Sequence, residues 1–214
     1  MDKLTERNST SFPKQLASAL ASIKKDKNDP LRYHQRLVYE YVLKNTWTRG
    51  LLIEHKMGAG KTITGASLAE GLKEQDVKRR IIVMAAKSLH ANFRKDIIKY
   101  RKIVAEKTKA NLPSDEALNK YINENYEFIS LNASNMLTQV HKAIKKEADL
   151  SAFDDNVITD EEAEEFAKLD KIGNLDNCVL IIDEAHNLFN AITNGSKNAM
   201  GLYKLIMSAK NIKL

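Results

Sequence analysis

The sequence predicts an α/β domain of three layers, with a parallel central sheet between helices. Three observations lead there. Four short strand-like runs, at 51–54, 81–85, 126–131 and 178–182, are too brief for helices. Segments of helical period lie between and around them. The last run, "CVLII", is apolar throughout, as in parallel sheets covered on both faces. Strands alternating with helices join by right-handed crossovers.

The elements follow in order. Residues 12–26 place Leu16, Leu20 and Ile23 on one helical face, and Asn28, Asp29 and Pro30 end that helix. A second helix is predicted over Tyr33–Lys44, with Leu37, Tyr41 and Val42 inward. Leu51–Glu54 is predicted as the first strand, since glycines follow it. A helix from Lys61 to about Lys73 comes next, then the strand "IIVMA" at 81–85. Helix 89–103 carries Leu89, Phe93, Ile97 and Tyr100 at helical spacing. The 104–125 stretch reads as polar and interrupted by Pro113. "YEFISL" at 126–131 is the third strand.

Residues 134–176 are expected to form a helical insertion between the third and fourth strands. Met136, Val140 and Ile144 fit one amphipathic helix. "TDEEAEEFAKL" at 159–169 opens with a capping box, Thr159 and Glu162, and its first-turn carboxylates suit the helix dipole. This acidic run reads as a solvated face, with a protein-partner site as the alternative. A helix over about 197–208 and "NIKL" as the opening of a fifth strand complete the order. The expected organisation is an N-terminal helical extension over 1–30 and one α/β domain over 31–214.

Composition agrees with a globular chain: of 214 residues, 43% are hydrophobic and 29% charged. The longest apolar run, Ile81–Ala86, is far too short to cross a bilayer. No apolar signal-peptide core opens the chain, which predicts an intracellular protein without membrane contact. Cys178 is the sole cysteine, which excludes an internal disulfide and reads as a small hydrophobe at a strand entrance. The net charge of +6 divides unevenly. Residues 1–111 hold 24 Lys+Arg against 11 Asp+Glu, and residues 112–214 hold 10 against 17. A polyanion partner and merely solvated Lys-rich helices both fit that asymmetry.

The chemistry begins at "MGAGKT", after the first strand. A triphosphate needs closely spaced backbone N–H groups, a helix N-terminus and a cation. Gly58 and Gly60 let the backbone curl where a Cβ would obstruct phosphate oxygens. Met57, Gly58, Ala59, Gly60, Lys61 and Thr62 would line the phosphates of ATP. Lys61 would reach the β and γ phosphates, and Thr62 would place its hydroxyl on Mg²⁺. His55 stands where the full phosphate-loop pattern has its first glycine. The second element is "VLIIDEAHNL", with Asp183 and Glu184 at the end of the most apolar strand. Asp183 can hold the water shell of Mg²⁺ at the carboxyl edge of the sheet. Glu184 can deprotonate the attacking water. The glycine string alone is a moderate signal; both strings in order arise by chance in roughly one chain in a hundred thousand.

Together, "GAGKT" and "DEAH" resemble the superfamily 2 helicases and DNA translocases. The nearer likeness is to their Snf2-like branch and to viral ATPases typified by poxvirus nucleoside triphosphate phosphohydrolase I and the early transcription factor ATPase subunit. The resemblance spans roughly residues 30–214, outside 101–125 and 134–176. It implies a RecA-like phosphate-loop fold and nucleic acid as partner, DNA before RNA. "LRYHQ" at 31–35 is similar to the adenine-reading segment, which would make Gln35 a base contact. "IIVMAAKSLHANF" resembles motif Ia and would set Lys87 and Ser88 near nucleic-acid phosphates. "FISLNASNM" resembles motif Ib, with Asn132 and Ser134 as candidates. His186 would couple the ATP and nucleic-acid sites.

In this family a second RecA-like lobe follows, with an arginine that completes the ATP site, whereas no arginine here follows Arg101. The chain is therefore read as the first lobe of a larger motor, hydrolysing ATP slowly or not at all alone. If viral, it would work in the host cytoplasm or the virion. Two other readings remain: a platform that binds nucleic acid or a partner without turnover, and an unrelated phosphate-loop ATPase.

Overall fold

The computed structural model describes residues 10–23, 29–56, 58–131, 136–144 and 175–214. They fall in two compact units, one within Met1–Lys78 and Ala91–Glu124, the other within Arg79–His90 and Asn125–Leu214.

The first unit is helical. It holds α1 (Phe12–Ala21), α2 (Tyr33–Lys44), α3 (Lys61–Gln75), nearly all of α4 (His90–Thr108) and α5 (Asp115–Asn125). Asp29 sets the entry to α2. Its carboxylate accepts from Leu31 N at 2.8 Å and from two nitrogens of Arg36 at 2.6 Å each. Residues Thr64 and Ala66 to Leu72 of α3 are buried, including the polar Ser67 and Glu70. The small side chains suit this buried helix, and Gly71 shows why. A Cβ there would lie 2.6 Å from the Tyr39 hydroxyl and 2.9 Å from Leu43 Cδ2, both on α2. Glu70 is a buried carboxylate, and such a group needs partners. Arg101 of α4 donates to its Oε2, and the Tyr121 hydroxyl of α5 donates to the same atom at 3.1 Å. The Arg101 guanidinium also sits 3.8 Å from the Tyr121 ring centroid, a cation–π contact. Burial, with the Glu70 carboxylate next, holds the Tyr121 phenol well above its ordinary range.

The second unit is a parallel sheet under helices. Its strands are β1 (Arg80–Ala85), β2 (Tyr126–Ser130) and β3 (Cys178–Ile182), in the order β2-β1-β3. Ile81 faces Tyr126 and Ala85 faces Ser130, while Met84 faces Ile182. Ile82, Met84, Ile129 and Leu180 pack into a core with Leu137 and Val140 of α6 (Met136–Ile144), Leu188 of α7 (His186–Thr193) and Leu202 of α8 (Lys197–Ser208). Ile81, Val83 and Ala85, which alternate with them, are equally buried. Both faces of β1 are thus covered, as its apolar run requires. Lys213 continues the sheet beyond β3. Its N donates to Cys178 O at 2.8 Å, and its O accepts from Leu180 N at 2.7 Å. The parallel α/β architecture, the opening of a further strand at "NIKL" and the buried Cys178 agree with the sequence reading.

Several expectations need correction. Leu51–Glu54 forms no ladder. Leu51 and Ile53 are half-buried and Leu52 is exposed, so the strand period is present without a pairing strand among the described residues. Periodicity reports sidedness, and pairing is a separate condition. α1 stops at Ala21 rather than near residue 26, although Ile23 still lines a cleft with Leu16, Leu20 and Tyr41. The 104–125 stretch is largely helical, because Pro113 precedes a start signal instead of interrupting a loop. Ser114 Oγ accepts from Ala117 N at 3.2 Å, Asp115 and Glu116 occupy the first turn, and Leu118 and Ile122 are buried one turn apart. Leu89 lies in a 3₁₀ turn (Lys87–Leu89) ahead of α4, which itself buries Phe93, Ile97 and Tyr100. In α2 the inward Leu37, Tyr41 and Val42 are only half-buried, and Gln35 is the buried residue. The predicted insertion begins as expected with α6, and the 159–169 helix lies outside the described residues.

Candidate functional site

The glycine loop belongs to the helical unit and feeds directly into α3. Gly58 and Gly60 have φ of +77° and +84°, the left-handed region that favours glycine. Around Gly58 the space is open, with nothing within 4 Å of an added Cβ. Gly60 is different: a Cβ there would stand 2.5 Å from Gln35 Nε2. Gly60 is also the residue before α3 and offers no side chain to cap it. The helix therefore presents first-turn amides suited to an anion. Lys61 and Thr62 are its first two residues, Lys61 exposed and Thr62 half-buried.

α2 holds the loop in place. Gln35 is 3% exposed, and its Nε2 donates to Gly60 O at 3.1 Å and Ala59 O at 3.4 Å. Its Oε1 accepts from Arg32 N at 2.8 Å. Beside it, His34 Nε2 lies 3.0 Å from Ala59 O. The His34 and His55 rings meet edge to face at 5.2 Å. Burial lowers the His55 pKa, and His34 and Lys61 lower it further.

Thr64 is buried and its hydroxyl donates to Gly60 O at 3.1 Å, a bond inside the helix. Burial raises the Asp96 carboxyl, against the opposing pull of Lys99 and of the Thr62 hydroxyl.

The sheet unit carries the acidic turn. Asp183 follows β3 and extends its pairing, with its N donating to Met84 O at 2.8 Å. The Asp183 side chain is half-buried, and Oδ1 accepts from Glu184 N at 3.1 Å. Glu184 is exposed and takes φ of +52°, rare for a residue with a side chain. His186, the first residue of α7, places Nδ1 3.3 Å from Glu184 Oε2. The parallel register brings the ends of β1 and β3 to one edge of this sheet. Lys87 and Ser88, exposed in the 3₁₀ turn after β1, therefore lie at the edge that carries Asp183 and Glu184.

Gly58, Ala59, Gly60, Lys61 and Thr62 stand together in the loop, and Gln35 contacts its carbonyl groups. Lys87, Ser88, Asp183, Glu184 and His186 stand at the sheet edge. Met57, Asn132 and Ser134 lie outside the described residues. One participant adds to the residues that the sequence reading names: His34, whose place beside Gln35 in sequence is its only signal.

The Thr62 hydroxyl in the helical unit and the Asp183 carboxylate in the sheet unit are each a hard oxygen donor of the kind Mg²⁺ takes beside phosphate and water. Among the described residues no cluster of three or more His, Cys, Asp or Glu forms an all-protein metal cage. No helix among them is long and apolar enough to cross a membrane.

Residues 28–213 match the family model described as "Type III restriction enzyme, res subunit". The "Termination factor NPH-I homolog" of African swine fever virus (isolate Pig/Kenya/KEN-50/1950) is 35% identical over 97% of this chain and 28% of its own length. The "Putative ATP-dependent RNA helicase R563" of Acanthamoeba polyphaga mimivirus is 33% identical over 82% of this chain and 27% of its own length. The "Putative helicase 009L" of Frog virus 3 is 38% identical over 41% of this chain and 9% of its own length. The chain thus spans less than a third of the length of each of these relatives. No solved structure matches.

Proposed function

We propose, for a chain that belongs to the Type III restriction enzyme res subunit family of helicase-type domains, that it is the ATP-binding lobe of a nucleic-acid-dependent ATPase. The observation that carries this reading is the loop Gly58–Thr62. Its two left-handed glycines lead into a buried helix that begins with Lys61 and Thr62. Lys61 draws the β and γ phosphates, while the first-turn amides of α3 bind phosphate oxygens. Thr62 and Asp183 are the groups that would face Mg²⁺, Asp183 through water. Mg²⁺, when bound, neutralises charge on the phosphates. Glu184 takes the proton of the attacking water. His186, 3.3 Å from Glu184, couples hydrolysis to the nucleic acid.

Lys87 and Ser88 are the proposed contacts to nucleic-acid phosphates, joined by Asn132 and Ser134, with DNA favoured over RNA. Gln35 reads adenine in the family resemblance. Its amide is engaged with the loop carbonyls here, so base recognition would proceed through a residue that also sets the loop. ATP turnover would drive movement along the nucleic acid, in a transcription setting inside the host cell or virion. A second lobe would supply the missing arginine, and the 134–176 insertion is the site proposed for a protein partner.

The test is ATP hydrolysis with and without nucleic acid, in the longest native chain carrying these residues, in its Glu184→Gln form, and in the 214 residues alone. Stimulated turnover that Glu184→Gln abolishes, with the 214 residues nearly silent, is the expected result. Nucleic-acid binding without hydrolysis in any of the three would replace the enzyme by a binding platform.

A further inference from the structure

Resting on the nucleotide reading above, we infer that His34 is a positioning residue for the phosphate loop: by holding the Ala59 carbonyl it aims the Gly60 amide at the phosphates. A peptide unit is planar, and in its trans form the C=O and N–H point in opposite directions. Among the described residues every peptide bond is trans. The unit that joins Ala59 to Gly60 turns its oxygen to α2, where His34 Nε2 lies at 3.0 Å and Gln35 Nε2 at 3.4 Å. Its N–H, which belongs to Gly60, is therefore turned away from α2. A backbone nest holds an anion only when its amides point to one side, so what fixes the carbonyls fixes the anion site.

The two donors to Ala59 O are unequal. Gln35 Nε2 is closer to Gly60 O, at 3.1 Å, than to Ala59 O, at 3.4 Å. His34 stands at the preferred N–H···O distance. A carbonyl oxygen only accepts, so His34 Nε2 carries the proton of this bond. Gly60 O is held without His34, since it also accepts from Thr64 N and the Thr64 hydroxyl. The Ala59–Gly60 peptide is the one at stake. Flipping it changes φ of Gly60, and glycine accepts either sign of φ at no steric cost. The loop residue that makes the nest possible is thus also the one that needs an outside hold. His34 is itself braced, with its ring edge to face against His55 at 5.2 Å.

The experiment measures the affinity of the 214-residue chain for a fluorescent ATP analogue with Mg²⁺, and displacement of that analogue by inorganic tripolyphosphate, which carries phosphates without a base. It compares the wild type with His34→Phe, which keeps a ring and loses the donor, and with His34→Gln, which keeps an N–H donor. Thermal melting confirms that each is folded, and His34→Leu stands in for a phenylalanine variant that is not.

The expected result is that His34→Phe weakens the analogue and tripolyphosphate alike, by about 3- to 10-fold, the worth of one hydrogen bond. His34→Gln should recover most of that loss, which a purely packing role for the ring would not allow. No loss in His34→Phe, an equal loss in His34→Gln, or a loss for the analogue with tripolyphosphate unchanged would overturn the positioning role and leave the nucleotide reading standing. A wild type that binds neither, or binds the analogue without displacement by tripolyphosphate, would overturn both.

Discussion

Replacing Gly60 by alanine should destabilise the helical unit far more than the same change at Gly58. Both glycines have left-handed φ, and forcing an alanine there costs roughly 1–2 kcal/mol. At Gly58 that is the whole effect, because the space for a Cβ is open. At Gly60 the new methyl would sit 2.5 Å from Gln35 Nε2. The far end of a flexible side chain usually yields cheaply, but this one is tied at both ends. Moving it breaks the bonds to Gly60 O and Ala59 O and strains the one from Arg32 N, in a residue only 3% exposed. A buried polar group left unsatisfied costs about 1–3 kcal/mol. The total for Gly60→Ala is therefore about 2–5 kcal/mol, against roughly 1–2 for Gly58→Ala. Urea unfolding of the two variants measures the difference. A double-mutant cycle pairing Gly60→Ala with Gln35→Ala locates it, since the glutamine truncation should cost less once the methyl introduced by Gly60→Ala has already displaced the amide. Equal losses at the two glycines, or additive effects in the cycle, would refute the argument that Gln35 and Gly60 are fitted to each other.

Two further outcomes follow from contacts in the same unit. Arg101→Ala leaves the buried Glu70 carboxylate with the Tyr121 hydroxyl but without its cation, and should cost roughly 3 kcal/mol in urea unfolding. Glu70→Gln should cost less, about 1–2 kcal/mol, because the Arg101 side chain is one-third exposed and can turn to water; the opposite order would show that Glu70 is not the buried member of the pair. The third outcome concerns pH. The folded His55 pKa lies below its unfolded value, so the unfolded chain takes up a proton first as the solution is acidified. Stability from this group is complete above about pH 6.5 and is lost as pH falls from there toward the folded pKa. His55→Gln should therefore flatten the stability difference between about pH 7.5 and about pH 5.5; an unchanged slope would exclude His55 as its source.

What is legible in the sequence is what periodicity and local chemistry encode. The bounds of α2 and α8 agree with the sequence reading because their ends carry local signals: Pro30 and Arg32 before Tyr33, and Ser196 capping α8 through Ala199 N. β1 and β3 stand out as apolar runs flanked by charge and turn residues. Leu51–Glu54 reads as a strand without being one, because alternation encodes which side faces inward, whereas pairing depends on a second strand that local sequence does not report. α5 escapes the sequence reading because Pro113 resembles a breaker, although the Ser114 cap and the first-turn Asp115 and Glu116 that follow it mark a beginning. At the loop, Lys61, Thr62 and the glycines are plain from residue type. The contacts of Gln35 with the loop carbonyls are not, since they join segments far apart in sequence.

The placement of β1 at the centre of the sheet has a consequence for synthesis. Its neighbour β2 begins 45 residues after the Ile81 it faces, and Cys178 of β3 comes 98 residues after Arg80. At about 5–20 residues per second, β1 waits roughly 5–20 s for β3 after leaving the ribosome. Throughout that interval "IIVMA" is an apolar segment with an unpaired edge, the type that joins other chains into aggregates. Its flanks answer that hazard. Lys78, Arg79 and Arg80 precede it and Lys87 follows it, so two nascent copies that meet there bring like charges together. The positive charge around the central strand thus guards the chain against itself before the sheet exists.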